Sequence, residues 1–402
     1  APVATPSRSR SLLAAPADPA WLAGARAALR EMADTAAAAA DATSSRGSFL
    51  RTAPAPSETL RVHAIVAESH LTLVFETPGS VQARQVAWRR ADATQEIGAL
   101  LGAMDRHEAA LPQLQALYRR IGAPIAEAAR SVGARRIVLF GDDVLRYLPM
   151  AALHDGQAYL GEQFTLLQQA RPLDSAARGM AVRVPVLQAV GVSRPLPGQP
   201  ALPGVAREVC AIVAGPVRGL TDVDSACGSG AGVVPGEGWL NEEFTARRFS
   251  DATARAGAGG GGAMLHVGTH FDLRPGQMAR SSLLLGDGSR LTLDTIARLD
   301  FRGHDLVTLS ACETGLGGAA GSDGREVEGL NLLLVRRGAR AVLASLWRVD
   351  DRSTSALMAV FYRELASTDV AEALRRAQDA VRANPDWRAP FHWAGFYVTV
   401  RP

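Results

Sequence analysis

The chain has 402 residues, of which 47% are hydrophobic and 21% are charged. A chain of this length and composition can bury a large core and hold two or three domains, which excludes an intrinsically disordered protein. The formal net charge is only +3, and the arginines are scattered, so nucleic acid is not the expected partner. No apolar run reaches the roughly 18 residues that a membrane span needs, and no membrane association is expected.

The three cysteines, Cys210, Cys227 and Cys312, are too few and too odd in number for a disulfide framework. The sequence has no CxxC pair and no Cys/His spacing that would hold a metal ion, so no metal site is predicted. A catalytic thiol requires a reducing compartment. We therefore expect a cytoplasmic protein.

The first part of the chain is predicted to hold one helix between two polar stretches. An alanine-rich pattern with apolar residues at helical spacing predicts this helix over residues 18–42. The flanking stretches are rich in Pro, Ser and Arg, which is typical of low-complexity segments. We interpret residues 1–57 as a helical and low-complexity segment, the remnant of an upstream helical region.

Residues 58–130 are predicted to form an accessory α+β layer. Alternation of apolar and polar residues, interrupted by polar turns, predicts an antiparallel meander of three strands: 60–66, 70–76 and 81–88. Helical periodicity follows in two segments: 97–104 and 111–129.

Residues 131–402 are predicted to form the main unit of the protein. Short apolar strands alternate there with helical segments, beginning with the strand 135–140 and ending with the strand 396–400. Such alternation predicts right-handed βαβ crossovers and a largely parallel sheet. The predicted fold class is therefore α/β.

Reactive side chains follow three of these strands, at the point where each strand ends. One apolar run ends at His270, the next at Cys312, and a third leads into Asp350 and Asp351. Ligands bind outside the carboxyl ends of strands in open α/β sheets. We therefore expect these side chains to converge on one edge of one sheet.

A cysteine nucleophile with a histidine base is the chemistry that this pattern favours. A thiol with a pKa of about 8.5 attacks only as the thiolate, so a nearby histidine both activates it and later protonates the leaving amine. Small residues after Cys312 indicate a sharp turn that exposes the thiol and leaves backbone N–H groups available to an oxyanion. The alternative is that Cys312 is a small buried hydrophobe, as most unpaired cysteines are.

Other residues near these strand ends leave alternatives open. His266 and His270 are four apart, which on a helix would suggest a metal pair, but the residues between them favour a strand, and His266 is predicted to support the core. His304 is predicted to lie in a loop. Asp350 and Asp351 suit either a helix N-cap or a pocket for a basic side chain, and Asp351 is the preferred pocket residue.

A series of motifs, in this order, resembles the CHAT family of caspase-like cysteine peptidases, which are relatives of separase and the caspases. The histidine motif is HVGTH at 266–270 and the cysteine motif is LSACETG at 309–315. The other segments that carry the resemblance are 136–140, 145–153, 202–204, 328–330, 338–347 and 390–396. Individually several of these are weak, whereas their order is specific.

The resemblance implies a caspase-like three-layer sandwich around a mainly parallel sheet. It implies His270 as general acid and base, Cys312 as nucleophile, a thioester acyl-enzyme, and no cofactor. Backbone N–H groups of Phe271 and Cys312 would bind the oxyanion, although caspases have glycine where Phe271 stands. The separase aspartate that receives the substrate's arginine corresponds by position to Asp351.

The predicted function is that of a cysteine endopeptidase that cuts one specific protein partner after a basic residue. The family resemblance suggests a bacterial effector or a pore-forming protein as the substrate, and upstream helical repeats as the regulator. One alternative is a non-catalytic, caspase-like interaction or scaffold module. A weaker alternative is a cysteine-dependent acyl transferase.

Overall fold

A computed structural model of the protein describes residues 58–77, 80–169, 186–221, 232–258, 262–272, 279–310 and 329–401. The helix predicted over residues 18–42 lies outside the described residues. Cys227 and Cys312 lie outside them as well.

The first three strands form the meander that the alternating sequence predicts. They are β1 (Thr59–Val66), β2 (Leu71–Thr77) and β3 (Ser80–Val86), and each pairs antiparallel with the next. On its other side β1 pairs in parallel with β4 (Arg136–Phe140). The meander is therefore continuous with the main sheet, and the division of the chain into separate domains stays a prediction.

Helices follow the meander and cover one face of its sheet. They are α1 (Arg90–Asp105), α2 (Leu111–Leu117) and α3 (Ala123–Ser131), and a short π-helical turn at Tyr118–Gly122 joins α2 to α3. Both α2 and α3 carry proline near their first residue, where the missing N–H costs no hydrogen bond. The predicted helix over 111–129 is thus present, with one irregular turn inside it.

The remaining strands continue the same sheet. They are β5 (Thr165–Gln169), β6 (Val186–Gly191), β7 (Val213–Ala214), β8 (Val217–Arg218), β9 (Val234–Leu240), β10 (Ala263–Gly268), β14 (His304–Leu309), β15 (Ala341–Ser345) and β16 (Phe396–Val400). In the described part of the chain the sheet has thirteen strands in the order β3-β2-β1-β4-β5-β16-β15-β14-β10-β6-β9-β7, with β8 on β9. A separate small sheet holds β11 (Phe271–Asp272), β12 (Ser282–Leu284) and β13 (Arg290–Thr292).

Beyond the antiparallel strands β2 and β3, the large sheet contains two blocks of parallel strands that run in opposite directions. One block contains β1, β4, β5 and β16, and the other contains β15, β14, β10, β6 and β9. The blocks meet where β15 pairs antiparallel with β16. Within the second block, the carboxyl ends of β10, β14 and β15 lie side by side on one edge.

Helices pack on both faces of this sheet. They are α4 (Leu160–Gln163), α5 (Pro203–Ile212), α6 (Ala246–Ala258), α7 (Leu293–Ile296), α8 (Leu330–Arg336), α9 (Asp351–Glu364) and α10 (Val370–Ala383). No helix in the described ranges is both long and apolar enough to cross a lipid bilayer.

Successive residues of the central strands belong to two different cores. Met264 and Leu306 pack in the first core with α5, α9 and α10, whereas Leu265 and Val307 pack in the second with α6 and α8. Neighbouring side chains of a strand point to opposite faces, so a strand buried on both faces must be apolar throughout. The predicted three-layer α/β fold with a mainly parallel sheet is confirmed.

The prediction that His304 lies in a loop is wrong. His304 is the first residue of β14 and is 1% exposed. Its carbonyl oxygen accepts a hydrogen bond of 3.0 Å from the backbone N–H of Arg340. Burial lowers the pKa of its imidazole to about 4, since a buried ring resists protonation.

Candidate active site

The register of β10 against β14 relates the two residues of the predicted dyad. Val267 pairs with Leu309, and the N–H of Ser310 donates to the Val267 carbonyl oxygen at 2.9 Å. His270 is the third residue after Val267, and Cys312 is the third after Leu309. The two residues therefore follow paired residues of neighbouring parallel strands by the same number of sequence positions. Because Cys312 lies outside the described residues, the dyad itself stays a prediction.

His270 is fixed through both its backbone and its ring. The Leu284 N–H donates to the His270 carbonyl oxygen at 2.9 Å, and the Thr269 hydroxyl donates to the Leu284 carbonyl oxygen at 2.6 Å. The ring atom Nε2 lies 2.9 Å from the carbonyl oxygen of Pro200. A carbonyl oxygen only accepts, so Nε2 must donate and Nδ1 is the basic nitrogen of the neutral ring.

Phe271, the predicted source of an oxyanion N–H, belongs to the small sheet. It forms β11 and pairs antiparallel with Leu283, and its partly buried side chain packs against the second core. The backbone directly after the candidate base is therefore held in an extended strand. The role of its N–H stays a prediction.

Asp350 and Asp351 have different contacts. Asp350 is the N-cap of α9, and its Oδ1 accepts from the backbone N–H groups of Arg352 and Ser353 at 3.1 and 2.9 Å. Asp351 begins the helix, and its Oδ2 accepts from the Gly204 N–H at 2.9 Å. A Cβ at Gly204 would lie 2.6 Å from the Asp351 Cγ. The glycine near the start of α5 therefore makes room for this carboxylate.

The electrostatic surroundings of Asp351 disfavour its charged form. Partial burial is the main cause of its raised pKa, and the nearby carboxylates of Glu208 and Asp350 raise it further. The Gly204 N–H and the Arg207 guanidinium act in the opposite direction. Asp351 is thus an acid in an acidic, partly desolvated setting, where a cation would be attracted.

A second histidine lies beside this acidic pair, and the sequence argument did not assign it a role. His392 Nδ1 is 3.2 Å from the Ser353 hydroxyl and 3.9 Å from Asp350 Oδ1. Burial lowers the pKa of this imidazole. The ring of His107 packs against the neighbouring Phe391 in a tilted arrangement, with 3.7 Å between centroids. The motif at 390–396 offered a signal for this residue, because its histidine lies between two aromatic residues.

Glu208 is the most deeply buried acid near the candidate site, and no sequence motif singled it out as functional. It lies on α5 with 2% exposure. Its Oε2 accepts from the Ser310 hydroxyl at 3.0 Å, and its Oε1 is 3.1 Å from Nε2 of His266. His266 has no exposed surface, which confirms the prediction that it supports the core.

Cys210 is also on α5, and it is disulfide-bonded. The cysteine count excluded a framework of several disulfides, and it did not predict this single crosslink. In the parts of the chain that the structure covers, no group of three or more His, Cys, Asp or Glu side chains could hold a metal ion.

Comparison with known proteins assigns the chain to a family. A mainly parallel α/β sheet with helices on both faces, carrying a histidine and acidic residues at its carboxyl edge, defines the class of fold. The model of the CHAT domain matches residues 111–401, well over half of the 402 residues. The chain belongs to the CHAT family, which supports a module of the cysteine-peptidase type.

Two solved structures are similar in fold. The complex of Porphyromonas gingivalis RgpB pro- and mature domains has 9% identity and a TM-score of 0.38, with 78% of this chain and 77% of that chain covered. The Saccharomyces cerevisiae separase–securin complex has 7% identity and a TM-score of 0.47, with 86% of this chain and 31% of that chain covered. Both TM-scores are below 0.5. No curated protein matches the chain.

Proposed function

We propose that this protein is a cysteine endopeptidase in which His270 is the general base and Cys312 the nucleophile. The observation that carries the proposal is the pairing of Val267 with Leu309, because both residues follow this pair by the same number of positions. The orientation of His270 supports it further. Nε2 is engaged with Pro200, which leaves Nδ1 as the proton acceptor.

The reaction follows from these assignments. Nδ1 of His270 takes the thiol proton of Cys312, and the thiolate attacks the carbonyl carbon of the substrate peptide. Backbone N–H groups of Phe271 and Cys312 would stabilise the negative charge that develops on the carbonyl oxygen. The imidazolium then protonates the leaving amine, and a thioester remains. Water, deprotonated by the same nitrogen, hydrolyses the thioester and restores the thiol.

A basic residue before the cleaved bond is the proposed specificity. Asp351 is partly exposed, and Glu208 and Asp350 add negative charge near it. A guanidinium or ammonium group would pair with such a carboxylate by charge-assisted hydrogen bonds. The substrate would be a specific protein, such as a bacterial effector or a pore-forming protein.

Cleavage of a peptide library in reducing buffer tests the proposal. We expect cuts after Arg or Lys by the unmodified protein and no cleavage by the Cys312→Ala variant. His270→Ala should lower the rate by a factor of about 100 or more, since a general base contributes about that much. His70→Ala is a matched control, because this partly exposed histidine lies in the meander next to β2.

Two results would contradict the proposal. The nucleophile would be assigned wrongly if Cys312→Ala cleaved at the rate of the unmodified protein. A protein that cleaves nothing, and in which no cysteine reacts with an electrophilic arginine peptide, would instead be a non-catalytic interaction module.

A further inference from the structure

A line of buried polar side chains runs through the first core under the candidate site. Its members are at most 8% exposed and come from two helices, two strands and the residue after β14: Glu208, His266, Thr308, Ser310 and Tyr362. Buried polar groups are costly unless each finds a partner. We therefore describe the partner of each polar side chain in this line.

The hydrogen bonds of Tyr362 determine which nitrogen of the His266 ring carries a hydrogen. The Tyr362 hydroxyl donates to Thr308 Oγ1 at 2.8 Å, so its oxygen is left to accept from His266 Nδ1, which is 3.2 Å away. Nδ1 then carries a hydrogen. The other ring nitrogen faces the Glu208 carboxylate.

Glu208 and His266 form a buried pair. Nε2 of His266 and Oε1 of Glu208 are 3.1 Å apart, and neither atom has a well-aligned hydrogen bond. The Glu208–His266 pair is thus a close contact between α5 and β10.

The second carboxylate oxygen of Glu208 holds the strand that leads to Cys312. It accepts from the Ser310 hydroxyl, and Ser310 is the residue after β14 and the second before Cys312. One carboxylate therefore contacts both strands whose ends carry the predicted dyad.

The amino end of the same helix contacts the other elements of the site. Gly204, in the first turn of α5, binds the carboxylate of Asp351. Pro200, three residues before the helix starts, binds the ring of His270. Helix α5 and the residues just before it thus touch the candidate base, the candidate pocket acid and the strand that leads to the candidate nucleophile.

We propose that Glu208 is a positioning residue, which holds the carboxyl ends of β10 and β14 in the geometry that the dyad requires. This inference rests on the proposed peptidase function. Glu208 touches neither substrate nor reacting atoms in this account and acts through Ser310 and His266. A displacement of about 1 Å at a reacting group can cost a factor of about 100 in rate.

Three variants separate positioning from simple stabilisation. Glu208→Ala removes both contacts and should lower kcat at least tenfold, while KM changes less than twofold. Glu208→Gln keeps an acceptor for Ser310 and a donor for His266, and it should retain kcat within about threefold of the unmodified protein. Gln378→Ala is the matched control, because Gln378 is 6% exposed and donates to two backbone carbonyl groups on α10's side of the core.

Kinetics with an arginine reporter peptide, thermal unfolding and the alkylation rate of Cys312 would be measured together in reducing buffer. Glu208→Ala should also slow alkylation of Cys312 by iodoacetamide at least threefold. If Glu208→Ala does not fold, Ser310→Ala removes only the contact on the cysteine strand and should lower kcat in the same direction.

The inference would be overturned by unchanged kcat and unchanged alkylation in Glu208→Ala or Ser310→Ala. An equal loss of kcat in Gln378→Ala at a similar Tm would overturn it too, since the effect would then be general destabilisation. If the unmodified protein cleaves nothing, the proposed function fails on its own. The alkylation rate of Cys312 in the same variants then decides whether Glu208 positions that strand.

Discussion

At the scale of single residues, the assignment of His270 depends on one backbone oxygen. Pro200 accepts from Nε2 and so selects the tautomer in which Nδ1 is basic. A carbonyl group has no signature in a sequence, because every residue carries one. The sequence could therefore indicate His270 as the candidate base, whereas its tautomer required the structure.

The acidic residues allow a prediction about selectivity and pH. Arginine in a substrate stays protonated, so its recognition depends on the ionised form of Asp351. The pKa of Asp351 is raised by burial, so selectivity should be full above that pKa and decline as the pH falls through it. The decline should begin at a higher pH than it would for an ordinary aspartate.

The measurement is the ratio of kcat/KM for an arginine peptide to that for its neutral citrulline analogue, as a function of pH. Asp351→Asn keeps an acceptor for the Gly204 N–H and should lower this ratio by a factor of about 10 or more, as expected for a lost charge-assisted hydrogen bond. Asp350→Asn, at the neighbouring N-cap, should lower the ratio much less than Asp351→Asn does. A ratio that survives in Asp351→Asn would rule out the pocket.

Glu208 shows what a residue-by-residue sequence argument misses. It lies in an amphipathic helical segment, where a glutamate is normally assigned to the solvent face. Its burial is explained by His266 and Ser310, which are far away in sequence and reach it only when β10 and β14 pack beside α5. Two of these three residues were visible in motifs, but no local pattern joined them.

At the scale of elements, the strands were predictable because they are buried on both faces. Apolar runs before His270 and Cys312 indicated β10 and β14, and the structure has them as parallel neighbours. His304 was misassigned because Gly303 and Asp305 beside it resemble a turn. Pairing with its neighbours in the sheet, which is a non-local contact, decides that His304 belongs to β14.

Burial of His304 predicts how the stability depends on pH. Its pKa is about 4 in the folded protein and about 6.5 in an unfolded chain. The unfolded state therefore binds more protons between these values, and the stability that the neutral ring provides at neutral pH is lost as the pH falls from about 6.5 to 4. The loss amounts to about 3 kcal/mol at most.

Urea unfolding of the His304→Gln variant at several pH values tests this. The difference in unfolding free energy between pH 7 and pH 4.5 should be smaller in the variant than in the unmodified protein, whatever the variant's overall stability. His70→Gln, at a partly exposed position, should leave that difference unchanged. If the unfolding free energy depended on pH equally in all three proteins, His304 would be excluded as the cause of the loss of stability at low pH.

At the scale of the whole molecule, the accessory layer is joined to the candidate site. Arg348, which precedes the acidic pair, forms an ion pair of 2.6 Å with Asp105 of α1, and this contact lowers the pKa of that aspartate. The contact between the rings of His107 and Phe391 is a second connection. Residues of the range 58–130 therefore contact the segment that leads into Asp350 and Asp351, which their own sequence pattern did not indicate.

The two-block arrangement of the sheet was also beyond the sequence argument. Strand β16 was predicted, but its antiparallel pairing with β15 was not. Alternating strands and helices predict parallel neighbours, and they do not reveal where the chain places its last strand. The candidate site lies at the carboxyl ends of β10, β14 and β15, which all belong to the second block. The prediction that their reactive residues share one edge therefore did not depend on how β16 pairs.

The central claim is that adjacent parallel strands bring His270 and Cys312 together. Its most direct test is the rate at which iodoacetamide alkylates Cys312 as a function of pH. Peptide mapping would monitor this rate. A nearby imidazolium would stabilise the thiolate, so the apparent pKa of Cys312 should lie at least about one unit below the usual 8.5, and His270→Asn should return it there. An apparent pKa of about 8.5 that is the same in both proteins would contradict the account.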